Sequence, residues 1–416
     1  MNKADSEYLG CYLERAGCQP AGSPQEADLL VLNSCVVRQS AESKVAHKLD
    51  SLKQLKKARP HLTILLTGCM VDSEEEKLRA RFPHVDFYFK PQDWESFHHW
   101  AETQGFSLSP EGKHLLVPAA PAVSTFVTII QGCDNFCTYC IVPYRRGREK
   151  SRPLEEIRCQ VMELVHRGVK EVTLLGQNVD SYGHDLPGKP DLADLLEELN
   201  SIEGLRRIRF LTSHPKDMKP KLIQAVAELP KVCEHISLPV QAGDNEILRA
   251  MERGYTIEQY RQLIAQIRHT IPDVALSTDV IVGFPGETEA QFQRTVELLQ
   301  EIRFDTVHVA AYSPRPGTLA SRKFKDNVPI AEKKRRLERI EALQQEIAAE
   351  INARLLGRTV EILVEAKKKE KWEGRTRTNK LVFFEDSADH CGELVKVRIE
   401  RASPWALQGK LIERVD

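Results

Sequence analysis

The chain has 416 residues, 41% hydrophobic and 29% charged, which is ordinary globular composition and excludes extended disorder and collagen-like repeats. Lys and Arg number 59 against 60 Asp and Glu, so a nucleic-acid binder that relies on a global basic excess is excluded, although a local basic patch is not. No apolar run approaches the roughly 18 residues of a membrane span, and the first residues are acidic and polar, so the expectation is a soluble cytoplasmic protein of about two to three domains.

In chain order, the first predicted element is a helix from Lys3 to Gly17. The short apolar run Ala27–Asn33 comes next and ends at Cys35. A charged stretch with helix-spaced Val45, Leu49, Leu52 and Leu55 leads to a second buried-type strand, Leu62–Leu66, which ends at Cys69. Val85–Phe89 is a third. This alternation predicts a parallel sheet with helices on both faces. Residues 106 to 124 are rich in Ser, Pro, Gly and Ala and read as a linker.

From Thr125 to about Ser313 six strands are predicted: Phe126–Ile130, Val172–Leu175, Arg207–Thr212, His235–Val240, Ala275–Val282 and Val307–Tyr312. Amphipathic helices separate them, among them Leu154–His166, Ile257–Ile271 and Ala290–Ile302. Six strand-helix units predict a partial barrel, shorter than the eight-unit form. An open doubly wound sheet is the alternative. Ala331–Leu356 is a charged helix whose Lys333-Lys334-Arg335-Arg336 run reads as a solvated face. Four strands then predict a small β-barrel: Thr359–Val364, Leu381–Phe384, Leu394–Ile399 and Ala406–Ile412. The domains are therefore placed at 1–105, 125–350 and 357–416, with the linker at 106–124. The fold class is α/β with a C-terminal β-barrel.

Ten cysteines in a chain without a secretion signal argue against a disulfide framework. Three of them, Cys133, Cys137 and Cys140, fall in the segment Gln131–Cys140 with spacing Cys-x3-Cys-x2-Cys, directly after the first strand of the six-unit region. Three thiolates on one tight loop hold three irons of a four-iron cluster and leave the fourth iron open. Zinc is the alternative, but a structural zinc takes four ligands and no fourth is local.

This motif resembles that of the radical S-adenosylmethionine enzymes. The resemblance implies that the open iron chelates the methionine moiety of S-adenosylmethionine. Reductive cleavage then gives a 5′-deoxyadenosyl radical, which suits an unactivated C–H bond that no side chain deprotonates at neutral pH. It also implies cofactor contacts at Tyr139, at Gln177 in the turn Gly176-Gln177-Asn178, and at Gly283 in the segment Asp279–Glu287. A plain strand-to-helix turn is the competing reading of both segments.

The resemblance narrows to the methylthiotransferases and extends over nearly the whole chain. Asn33-Ser34-Cys35 and Thr67-Gly68-Cys69-Met70 resemble two of that family's three N-terminal cysteine motifs, both at carboxyl ends of predicted parallel strands. By resemblance, Cys35 and Cys69 ligate a second, auxiliary four-iron cluster. Val142–Glu149, Leu211–Pro215, Ser237–Gln241 and Tyr312–Thr318 are similar to the MiaB-type tRNA branch, with Ser213-His214-Pro215 the most discriminating. For His214 alone, a turn or capping residue is the favoured reading. The implied reaction adds a methylthio group to carbon 2 of isopentenylated adenosine beside the tRNA anticodon. An external electron donor and a monomeric enzyme without membrane contact go with it. The alternatives are threonylcarbamoyladenosine or a ribosomal-protein aspartate as substrate, or an RNA-binding module with impaired catalysis.

Gly374–Phe384 reads as a basic polar turn leading into an aromatic strand, and resembles the RNA-binding TRAM domain. Arg375, Arg377, Asn379 and Lys380 are its RNA-contact candidates, and at least one of Phe383 and Phe384 belongs to a core. Cys11, Cys18, Cys159, Cys233 and Cys391 match no ligand motif and read as packing residues. No P-loop, Rossmann fingerprint or Ser/His/Asp arrangement is present, and no general acid or base is assigned. In the family a Gly-Cys-Gln-Met-Asn motif ends the first strand, and Ala-Asp-Ser-Glu with a helix comes after it. Here Met1-Asn2 matches only the end of that motif, and Ala4-Asp5-Ser6-Glu7 matches the second segment. The expectation is that the third auxiliary cysteine would lie two residues before Met1, and that the stated start is internal.

Overall fold

A computed structural model describes residues 1–34, 39–71, 75–91, 93–106, 116–118 and 120–415, without the side chains of residues 39–41. Contacts divide the chain into two units: Met1–Ala120 with Ile141–Arg148, and Pro121–Cys140 with Glu149–Asp416. The linker prediction falls mostly outside the described residues. No helix among the described residues is long and apolar enough to cross a membrane.

In the first unit, helix α1 (Asn2–Arg15) is followed by the parallel strands β1 (Leu29–Ser34), β2 (Thr63–Gly68) and β3 (Phe87–Tyr88), in the order β1-β2-β3. Helices α2 (Gln39–Ala58), α3 (Glu75–Arg81), α4 (Trp94–Thr103) and the short α5 (Val142–Arg146) complete it. The central strand β2 carries the continuous apolar run Ile64–Leu66 and is buried from Ile64 on, because a parallel strand is covered on both faces. Ile64 and Leu66 pack with Leu49, Leu52 and Phe82 on one face. Leu65 packs with Leu9, Tyr12 and Phe97 on the other, as the two-residue period requires. β1 is an edge strand, and its residues before Ser34 are only half-buried.

The second unit holds six parallel strands in chain order: β4 (Ser124–Thr128), β7 (Glu171–Leu175), β8 (Arg207–Phe210), β9 (His235–Ser237), β10 (Ala275–Val282) and β11 (Thr306–Ala311). They form the sheets β4-β7-β8 and β9-β10-β11. The bridge Ile208–Val232 and the Ser213 N–H bond to Ser237 O (3.0 Å) join the two. Among the described residues β4 and β11 have one strand neighbour each, so the partial barrel is open. A short antiparallel ribbon of β5 (Ile130–Gln131) and β6 (Lys150–Ser151) brackets the three-cysteine segment.

The helices of this unit are α6 (Leu154–His166), α7 (Leu192–Asn200), α8 (Pro220–Glu228), α9 (Asn245–Ala250), α10 (Ile257–Thr270), α11 (Glu289–Ile302), α12 (Leu319–Lys323) and α13 (Ile330–Ala353). Capping boxes start α10 at Thr256/Gln259 and α11 at Thr288/Gln291, satisfying backbone N–H groups that a helix start leaves without partners. The charged run on α13 is not a fully solvated face. Lys333 and Arg336 are buried, Lys333 Nζ binding Tyr312 O and Asp326, and Arg336 Nη1 binding Glu287.

The tail closes into a five-stranded barrel, β12 (Thr359–Lys368), β13 (Lys371–Thr376), β14 (Leu381–Glu385), β15 (Leu394–Ala402) and β16 (Leu407–Val415), in the order β12-β13-β14-β16-β15. Ile362, Val364, Trp372, Phe384 and Val397 fill it. β13 is the strand that the apolar pattern does not show, because Lys371-Trp372-Glu373-Gly374-Arg375 carries one apolar side chain. Gly374 is required there, since a Cβ would overlap the backbone of Leu363.

Candidate active site

The three-cysteine loop leaves β5 through Gly132 (φ +78°) and folds back at Phe136 (φ +49°). Thr138 pins it in place: its N–H donates to Met251 O (3.1 Å), its hydroxyl to Ala250 O (2.8 Å), and its carbonyl accepts from Ala320 N–H (2.7 Å). Cys137 is buried, and Cys133 and Cys140 are half-buried beside it. Cys140 N–H donates to Cys137 O, which turns the chain tightly between them. Burial pushes the free Cys133 thiol up to about 11.

Arg253 closes this loop from behind. It is 5% exposed, and it donates to Cys137 Sγ (3.3 Å), Pro239 O (3.0 Å) and Tyr255 Oη (3.1 Å). Among the described residues it has no carboxylate partner. A buried guanidinium without a counter-ion is costly, so the site is built to receive negative charge at the cysteines. Three thiols on one loop facing an unneutralised cation fit an anionic iron–sulfur cluster. No local sequence signal points to Arg253.

Buried polar atoms without partners cluster at the carboxyl ends of the strands. They are Gln177 Oε1 and Asn178 Oδ1 after β7, His214 Nε2 after β8, Gln241 Oε1 after β9 and Tyr312 Oη after β11. Orphaned polar groups are rare in folded proteins, and this set fits a polar ligand such as S-adenosylmethionine. Thr212 and Gln241 at these ends hold left-handed backbone (both φ +71°), which non-glycine residues rarely adopt. His214 does serve the turn, its Nδ1 accepting from Lys216 N–H (3.2 Å). The same bond places the imidazole proton on Nε2, which faces no partner. Burial, with Arg253 and Lys216 nearby, drives the His214 pKa down to about 2, so it is a neutral donor. Asp180, held by Ser213 Oγ and His214 N–H, is pushed up to about 7 by burial.

Tyr139 lies in the loop itself, half-buried between Cys137 and Cys140. Gly283 is committed elsewhere. Its N–H donates to Glu287 (2.6 Å), and a Cβ there would overlap the Lys333 side chain. It shapes the turn and offers no amide to a cofactor.

In the first unit, Cys35 lies outside the described residues. Cys69 is described and buried. Its turn is clamped by Ser34, whose Oγ donates to Thr67 O (2.8 Å) and accepts from Met70 N–H (2.9 Å). Cys69 N–H donates to Ser34 O. Parallel pairing sets Ser34 opposite Gly68, and only glycine allows that approach. Arg146, 3% exposed, faces Cys69 and is fixed by Asp5 Oδ2 (2.8 Å) and Asn2 Oδ1 (2.9 Å). Burial opposes its charge, and Asp5 with Cys69 outweighs burial. Arg145 also faces Cys69. Asn2 donates to Ser34 O (2.6 Å), so the start of α1 lies at these strand ends.

Cys11 packs among Leu9, Tyr12 and Phe97, with burial pushing its thiol up to about 11. Cys233 is buried as well. The packing assignment fails for Cys391, which is exposed, and is only partial for Cys18 and Cys159.

The basic residues of the small barrel have an internal task. Arg377 binds the Glu234 carboxylate and the carbonyls of Pro230 and Val232. Lys380 pairs with Asp305 (2.7 Å), and Arg375 faces Glu365 (3.7 Å) and Asn379 O. Arg207 and Arg209 on β8 bind the backbone carbonyls of Arg375, Thr376 and Arg377. These contacts dock the small barrel on the partial barrel, so the RNA-contact candidates Arg375, Arg377 and Lys380 also carry this internal packing.

The sequence profile of the radical SAM superfamily matches residues 127–299. An uncharacterised family, UPF0004, matches residues 1–90, and the TRAM domain residues 353–412. The tRNA-2-methylthio-N(6)-dimethylallyladenosine synthase of Dehalococcoides mccartyi (strain ATCC BAA-2266 / KCTC 15142 / 195) is 54% identical over 413 residues, 99% of this chain and 96% of that one. The chain belongs to this synthase family. A Roseiflexus sp. (strain RS-1) protein of the same name is 50% identical over 423 residues, 99% of this chain and 87% of its own. In fold, the radical S-adenosylmethionine methyltransferase TsrM from Kitasatospora setae, solved with cobalamin and a [4Fe-4S] cluster, is similar with TM-score 0.53 at 14% identity, over 77% of this chain and 69% of its own. The UPF0004, radical SAM and TRAM matches follow one another along the chain in the order of the elements described above.

Proposed function

We propose that this family member is a tRNA methylthiotransferase that adds a methylthio group to carbon 2 of N6-isopentenyladenosine at tRNA position 37. The observation that carries the reading is the three-cysteine loop facing an unneutralised buried Arg253, in a chain 54% identical end to end to a synthase of that name. When bound, a four-iron cluster and S-adenosylmethionine supply one-electron chemistry able to break an unactivated C–H bond.

The chain's own residues do the rest. Cys133, Cys137 and Cys140 would hold that cluster, with Thr138 fixing the loop and Arg253 orienting the Cys137 sulfur. Gln177, Asn178, His214 and Gln241 present polar atoms to the ligand at the carboxyl ends of β7 to β9. Cys69, together with Cys35, would hold an auxiliary cluster, and Arg145 and Arg146 bring positive charge to its anionic sulfurs. The substrate end is an unpaired anticodon-loop base, whose edges are open to attack. An external electron donor, a monomeric state and a cytoplasmic location complete the reading.

Nucleoside mass spectrometry tests it. Expressed in a host that makes isopentenyladenosine but not its methylthio form, the protein should produce the methylthiolated nucleoside. Product on threonylcarbamoyladenosine or on a ribosomal protein, or none at all, would overturn the substrate assignment.

A further inference from the structure

The turn Ser403–Ala406, before β16, carries Trp405 at 65% exposure. Leaving an indole in water is unfavourable, and this turn is not loose. Ser403 Oγ donates to Ala406 O (2.8 Å) and accepts from Ala406 N–H (3.0 Å). From beneath, buried Asn352 Nδ2 donates to the carbonyls of Ser403 (2.8 Å) and Pro404 (3.2 Å). The ring is held out on a rigid mount.

Trp405 borders a cavity of about 520 Å³ formed by β9, β10, β11 and the docked β-barrel. That volume lies in the roughly 300–1,000 Å³ range of small-molecule sites. Its cations are already paired: Lys380 with Asp305, and Arg375 with Glu365. Its remaining donors and acceptors are mostly hydroxyls and amides, including Ser237, Ser277, Thr378 and Asn379. His235 also lines it, 6% exposed, with Nδ1 lacking a partner. Burial, and then Arg209, Arg375 and Lys380, keep that imidazole neutral, with a pKa of about 3. Without an uncommitted cation the cavity does not suit a phosphate. A flat heteroaromatic ring with a polar edge, attached to a hydroxylated sugar, matches an exposed indole above a lining of hydroxyls, amides and the carboxylate of Asp279, which adds further reason against a phosphate.

We propose that this cavity takes one unpaired nucleoside of the RNA substrate, its base stacked on Trp405 and its polar edge met by His235 and the surrounding hydroxyls. The inference rests on the reading of tRNA as substrate. The cavity shares Thr212 with the ligand-facing strand ends but none of Cys133, Cys137, Cys140 or Gln177 lines it, so the nucleoside it holds is placed next to the modified one.

The test uses the full-length protein and an anticodon stem-loop RNA followed by fluorescence anisotropy. Base stacking on an aromatic side chain is worth about 1–3 kcal/mol, so Trp405→Ala should weaken binding about 5- to 150-fold. Trp405→Phe should stay within about threefold. Loop nucleosides are then made abasic one at a time. One position should weaken wild-type binding about as much as Trp405→Ala does, and combining the two should add little. Unchanged affinity of Trp405→Ala, or losses that multiply at every abasic position, would overturn the proposal. A second readout guards against a misfolded alanine variant. RNA should quench part of the wild-type indole emission, and Trp405→Phe should lose that quenched part. Equal quenching in both proteins overturns the proposal too. If the Trp405 dependence holds but no methylthio product forms on tRNA, the functional reading fails and the cavity assignment stands. If Trp405→Ala modifies tRNA with unchanged KM, only the cavity assignment fails.

Discussion

The two cysteine sites are built in opposite ways. Cys133, Cys137 and Cys140 sit on one short loop whose spacing is local, bracketed by the ribbon of β5 and β6. Cys69 is placed by a sheet: the parallel register sets Ser34 against Gly68, and residues from α1 and α5, far apart in the chain, converge on the turn. A local loop keeps its ligand geometry as long as its anchors hold. A site assembled from strand ends depends on the fold of its whole unit. Both nevertheless place an arginine against sulfur, Arg253 at Cys137 and Arg146 at Cys69.

That contrast breaks most sharply under ligand removal. Cys137→Ala should remove about four irons per chain after anaerobic reconstitution and abolish 5′-deoxyadenosine formation. Cys69→Ala should keep the iron of the loop and lose methylthio product. Iron counting with product analysis checks both. If Cys137→Ala still cleaves S-adenosylmethionine, the loop is not the radical site.

Backbone change sharpens the comparison at an intermediate scale. Gly68 has φ +92°, and a Cβ there would overlap the backbone of Ser34. Gly68→Ala should therefore destabilise the first unit by about 2–4 kcal/mol, with the three-cysteine loop still loading iron. Limited proteolysis, with the cleavage sites mapped to each unit, reads this out. Equal loss of protection in both units would mean that the two sites do not depend on separate folding units.

The smallest expected effect is a pH slope. Asp180, near the ligand-facing ends, has no cation beside it among the described residues, whereas the buried Asp5 of the other site is paired with Arg146. The Asp180 pKa is about 7 when folded and near 3.8 when unfolded. Between about pH 4 and 7 the folded state therefore holds a proton that the unfolded state has released, and stability falls as pH rises. The contribution is at most about 1.4 kcal/mol per pH unit. Asp180→Asn should flatten that part of the urea-midpoint profile. His214 acts in the opposite sense: its depressed pKa means stability is lost as pH falls from about 6.5. An Asp180→Asn profile identical to wild type would show that the carboxyl is ionised in the fold.

Legibility tracks locality. The strand over Ala275–Val282 and the helix Leu154–His166 have the predicted boundaries, because continuous apolar runs and 3.6-residue periodicity are local signals. β13 escapes the pattern because a short barrel strand with a single inward Trp372 shows little alternation. The α13 charge run reads as solvated, yet burial of Lys333 and Arg336 depends on Asp326 and Glu287, which the fold brings to them. Arg375, Arg377 and Lys380 read as an RNA patch by composition, and their partners Glu365, Glu234 and Asp305 come from other elements.

Residue type, spacing and periodicity are enough to set the order of domains, the three-cysteine loop and the strand-end position of Cys69, since none of these needs a distant partner. Only the packed fold settles which cations are spent on docking, which polar atoms are left without partners at the barrel's ligand-facing ends, and that Arg253 stands behind Cys137. Each of those depends on desolvation and on contacts between segments far apart in the chain, and no local pattern encodes them.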